Sequence, residues 1–69
     1  MLSEKEKEMT IARVMISYYL ETGKLGWTRK DIVEEVANAG GDSDDVLDVI
    51  RMGIEICDNR RRIPMYIMN

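Results

Sequence analysis

The 69-residue chain has no histidine, no phenylalanine, one cysteine (Cys57) and one proline (Pro64). With a single thiol and no imidazole, the metal sites built from Cys and His are out of reach, and no cofactor is expected. One cysteine forms no intramolecular disulfide, which fits a reducing compartment and a cytoplasmic location. Cys57 reads as a small buried hydrophobe, since nucleophilic catalysis would need a base such as His beside it. No triad-like or paired-carboxylate arrangement stands out, and Gly40-Gly41 is a turn rather than a phosphate-cradling loop. The chain is therefore expected not to be an enzyme. Long hydrophobic runs are also missing. The longest, Val14 to Leu20, is interrupted by Ser17 and falls far short of the roughly 20 apolar residues that span a bilayer. Ser3-Glu4-Lys5-Glu6-Lys7-Glu8 lacks a signal-peptide pattern, so no membrane association is expected.

What is present suits a single globular domain with a thin core: 45% hydrophobic and 33% charged residues. Without Phe, that core must come from Ile, Val, Leu, Met, the three Tyr and Trp27. Six methionines provide adaptable filling. The formal net charge of −3 conceals a segregation. Residues 1–30 carry +2; residues 31–58 hold nine acids against one base, Arg51, for a net −8; Arg60, Arg61 and Arg62 return +3. Such a balance disfavours non-specific attraction to nucleic acid or anionic membranes.

Helix 1 is expected over about residues 3–22. Ser3 and Glu6 form a capping-box pattern, and Gly23 is placed to end the helix. Its second half is apolar on two faces: Ile11, Met15, Tyr18 and Thr22 on one, Ala12, Ile16, Tyr19 and Leu20 on the other. A surface helix needs only one such stripe, so the second should meet a strand, the tail or another subunit. Lys24 to Trp27 is a connector able to form a brief strand. Helix 2 is expected over about 28–39, capped by Thr28, with Ile32, Val33, Val36 and Ala37 as its buried stripe. Helix 3 starts at Asp42 or Ser43, and Val46, Leu47, Val49, Ile50 and Ile54 follow at helical spacing. Two ends are open: the helix continues to Cys57, or Gly53 stops it and Ile54-Glu55-Ile56 begins a hairpin. The tail over 61–68 reads as extended, since Ile63, Met65 and Ile67 alternate, and Pro64 places any strand at an edge.

Thr28 to about Gly53 resembles the helix–turn–helix pattern. Ala37 stands at the helix crossing, Gly41 at the turn position that tolerates positive φ, and Val36, Leu47 and Ile50 at the packing positions. With the preceding helix, the connector and the extended tail, the whole chain looks like a reduced winged-helix domain. The fold implied is mainly α: a three-helix helix–turn–helix core with a short C-terminal strand or hairpin.

The resemblance also implies DNA binding, but the positions that would face bases are Ser43, Asp44, Asp45, Asp48 and Val49. Carboxylates there would be repelled by a phosphate backbone. An EF-hand reading of the Asp42–Asp48 cluster fails, because Val46 holds the fifth position and Gly53 the place of the bidentate Glu. The acids then serve as caps and a solvated face, or as a surface for a basic protein partner, with Glu34, Glu35, Asp44, Asp45 and Asp48 as candidates. The expected function is a small non-catalytic binding module, an accessory regulator of a nucleic-acid machine or a phage-type inhibitor acting by protein–protein contact. The alternative is a winged-helix DNA-binding regulator touching phosphates through Lys24, Arg29, Lys30, Arg51, Arg60, Arg61 and Arg62. A second alternative is a homodimerising domain using Ile16, Tyr19, Leu20, Met65 and Ile67. Arg60–Arg62 would otherwise neutralise the acidic helices, and Trp27 with Tyr18-Tyr19 would fill the core.

Overall fold

The computed structural model describes residues 1–62, of which Arg60, Arg61 and Arg62 contribute only helical backbone. Three helices, α1 (Glu4–Thr22), α2 (Arg29–Asn38) and α3 (Ser43–Arg62), pack so that each touches both others. This agrees with a helix–turn–helix-like domain at that coarse level. The helix starts follow the caps read in the sequence. Ser3 Oγ accepts from the Glu6 N–H at 3.1 Å while the Glu6 carboxylate accepts from the Ser3 N–H at 2.8 Å, a complete capping box. Thr28 Oγ1 accepts from the Asp31 N–H at 3.1 Å. α3 opens on a second reciprocal pair: the Asp45 N–H donates to the Asp42 carboxylate at 3.1 Å, and the Asp42 N–H donates to Asp45 at 2.9 Å.

The core is built from Leu2, Ile11, Val14, Met15, Ile32, Val36 and Val49, with Trp27, Ala39, Val46, Ile50, Met52, Ile56 and Cys57 packed against it. Several expectations are corrected here. Gly53 does not end α3, and residues 54–56 are helical rather than strand. A helical glycine costs only about 1 kcal/mol relative to Ala, and the missing Cβ is what Trp27 uses. A Cβ on Gly53 would lie 2.6 Å from the indole Nε1. α3 thus passes Cys57 and runs to Arg62, so Arg61 and Arg62 belong to helix and not to an extended tail. The rest of that tail, including Pro64, Met65 and Ile67, lies outside the described residues. Lys24 to Trp27 forms no strand.

The detailed helix–turn–helix register also shifts. Positive φ falls on Gly40, at 86°, not on Gly41. Gly41 is required for close approach instead: a Cβ there would sit 2.7 Å from Val36 Cγ1 and 2.9 Å from an Asp45 carboxylate oxygen. Ala37 is exposed, and Val33 and Leu47 are 43% and 58% exposed. The cause is helical phase. α3 points Asp45, Val49 and Gly53 inward. Leu47 and Ile54, about half a turn away from that row, therefore point outward. α2 is short and buries only the row Ile32–Val36.

Candidate protein-binding surface

Two groups of acidic residues flank α1, one toward α3 and one toward α2. On the α3 side, Asp45 is 1% exposed. Its Oδ2 accepts from the Leu2 N–H at 3.0 Å and from the Asp42 N–H, and Lys7 Nζ stands 4.0 Å from its Oδ1. Those backbone donors, the Asp42 N–H foremost, hold the Asp45 carboxyl below its ordinary range against the opposing effect of burial. Lys7 Nζ donates to Asp48 at 2.6 Å, and that bond raises the lysine's pKa. Asp45 is thus a structural carboxylate that fastens the start of α1 to the start of α3. It does not belong to the exposed acidic face expected from the sequence, because its position points into the three-helix junction. Asp48 is half-buried and committed to Lys7. Asp44 is exposed in the first turn of α3.

On the α2 side the picture reverses. A groove of about 390 Å³ lies between α1 and α2, lined by Arg13, Val14, Ser17, Glu21, Asp31, Glu34 and Glu35. Four acidic residues and one basic residue therefore line the same groove. None of the four carboxylates accepts from a donor among the described residues. A second cavity of about 290 Å³, lined by Glu6, Met9, Thr10, Arg13 and Ala39, shares Arg13 and carries the groove toward the start of α1. The structure brings the sequence candidates Glu34 and Glu35 into one site with Glu21 and Asp31, which sequence reasoning missed. Asp31 sits in the first turn of α2, one turn before Glu34 and Glu35. Glu21 joins them because α1 packs against α2, a long-range contact that its local sequence does not show.

Beside this groove runs the surplus apolar face of α1. Met9, Ile16, Tyr19 and Leu20 are 46%, 60%, 58% and 78% exposed, and Ala12 is exposed with them. The Ile11–Val14–Met15 face is the buried one. Lys24, Arg29, Lys30 and Arg51 are exposed, but they lie on three different parts of the chain: the first connector, the start of α2 and the middle of α3. The side chains of Arg60, Arg61 and Arg62, and all of Met65 and Ile67, fall outside the described residues. Among the described residues, no helix is long and apolar enough to cross a membrane. No family model, curated protein or solved structure matches the chain.

Proposed function

We propose that this chain is a small non-catalytic binding module that works inside the cell, holding a basic segment of another protein in the groove between α1 and α2. The observation that carries the reading is the set of four carboxylates, Glu21, Asp31, Glu34 and Glu35, lining one groove with Arg13 and left without internal donors among the described residues. A carboxylate cluster held open in this way attracts cationic groups and disfavours phosphate. The role of accessory regulator on a helix–turn–helix-like frame follows from the same charge. The first turn of α3, where a DNA reader approaches its phosphates, offers Asp44 and no cation.

Retention on immobilised protein tests the reading. Wild type and a Glu34→Lys/Glu35→Lys variant are exposed to the same host extract, and the bound proteins are identified. The expected result is at least one protein with a basic surface that wild type retains and the reversed variant loses by about tenfold or more. Identical retention by both would remove the groove from consideration. Salt-sensitive binding of random duplex DNA would instead favour the winged-helix alternative.

A further inference from the structure

The groove and the apolar stripe beside it have a definite shape. From Glu6 to Glu21 the lining spans sixteen residues of α1, whose fifteen steps of 1.5 Å cover about 22 Å, or four helical turns. Thr10 and Val14 form the floor. The acids gather at the Glu21 end, opposite the start of α2. Along the outer edge of α1, Met9, Ile16 and Leu20 fall in one row at spacings of seven and four, all of them exposed. An acidic wall at one end and an apolar row along one edge form the seat that an amphipathic helix takes when it packs across two others.

We propose that the occupant is an amphipathic helix of a partner protein, about four turns long, with Lys or Arg residues over the acidic end of the groove and an apolar edge laid on the exposed row of α1. The inference rests on the protein-binding reading and specifies its partner. Charge selects a foreign helix over a second copy of this chain. The outward face of α1 carries only Lys5 and Arg13 beside its apolar row, and the chain's one run of three cations, Arg60–Arg62, follows closely on the −8 segment, so a second copy would bring that acidic segment with it. The −8 of residues 31–58 would also repel its duplicate.

The test uses the full chain and three labelled synthetic peptides of about 18 residues, long enough for four turns and more. One has a Leu face flanked by Lys; one keeps the Leu face with Glu flanks; one keeps the Lys and replaces Leu by Ser. Fluorescence anisotropy at physiological salt should give the Leu/Lys peptide an affinity at least about tenfold above both others. Ile16→Ser/Leu20→Ser should weaken that peptide by about tenfold and leave the Lys/Ser peptide unchanged. Both positions are exposed, and circular dichroism will confirm that the variant keeps its helices. If the Lys/Ser peptide binds as tightly as the Leu/Lys peptide, the helical seat is wrong while the acidic-groove reading survives. Binding by none of the three also overturns the seat, and the retention experiment then decides the broader reading separately. A concentration-dependent dimer in sedimentation, lost in Ile16→Ser/Leu20→Ser, would overturn the proposal by making a second copy the occupant.

Discussion

Where α1 meets α3, Asp45 and Asp48 are engaged by Leu2, Asp42 and Lys7. Where α1 meets α2, Glu21, Asp31, Glu34 and Glu35 line open space with no donor of their own among the described residues. The residue types are the same and the two interfaces share a helix. What differs is whether the fold supplies donors. At the α3 junction, backbone N–H groups left over at a helix start and a chain end converge on one carboxylate, so the acid completes the structure. In the groove both helices present their acids outward along a seam, so the carboxylates remain available to something else. Acidity read from the sequence as one −8 block is therefore two systems, one internal and one external.

The largest effect is expected from removing the internal acid. Asp45→Ala strips the partner from two N–H groups and leaves Lys7 with Asp48 alone. The unfolding midpoint should fall on the order of 10 °C in a domain of this size, as read by circular dichroism at neutral pH. The pH dependence carries the same signature. The folded-state pKa of Asp45 lies below its ordinary value of 3.8. Its stabilisation is therefore complete above that value and is lost as pH falls through the depressed folded value. Asp45→Asn should accordingly flatten the acid limb of the stability curve. An acid limb identical to wild type would mean that the junction is not held by this carboxylate.

Next in size comes the lower part of the same core. Gly53→Ala should stabilise an ordinary helix by about 1 kcal/mol. Here the new methyl group would stand 2.6 Å from Trp27 Nε1 and 2.8 Å from its Cε2. A rigid indole against a helix has little room to give, so a net destabilisation of about 1–3 kcal/mol is expected. Emission from Trp27, the chain's single tryptophan, should shift red as the ring is pushed outward. Pairing the substitution with Trp27→Leu should recover most of the loss. Failure of that rescue would place the cost elsewhere than in the indole contact.

Legibility in the sequence followed the range of the forces involved. The caps at Ser3 and Thr28 and the stop at Gly23 were readable because each is settled within a few residues, and α1 and α2 fall where those signals place them. Gly53 leaves the end of α3 open in the sequence because local rules count a glycine as a stop, while its reason for being there is Trp27, which lies 26 positions earlier in the chain. Leu47 and Val33 were assigned to the core because apolar spacing gives the period of a helix but not its phase against neighbours. Of the candidate site, Glu34 and Glu35 were legible as charge. The burial of Asp45 was not, since it depends on the Leu2 N–H from the other end of the fold. The second apolar face of α1 was legible in its spacing, and Ile16, Tyr19 and Leu20 are exposed among the described residues, Tyr19 at 58% rather than filling the core.

The smallest effect on stability should come from the external acids, and its size tests the division between the two systems most directly. Glu34 is exposed and Glu35 half-buried, and neither carboxylate accepts from a donor among the described residues. Glu34→Gln/Glu35→Gln removes two charges from a groove where like charges face one another, and it leaves no N–H or ammonium group without a partner. The change in unfolding free energy should stay within about 0.5 kcal/mol, with a gain more natural than a loss because repulsion is relieved. The same double variant should reduce retention of the basic partner by about tenfold or more, since two of the four attracting charges are gone. Chemical denaturation and the retention assay on one preparation give both numbers. A stability loss comparable with that of Asp45→Ala would mean that the groove acids are structural after all, and the contrast between the two sides of α1 would collapse. Stability held with binding lost is the pattern of side chains kept for a partner rather than for the fold.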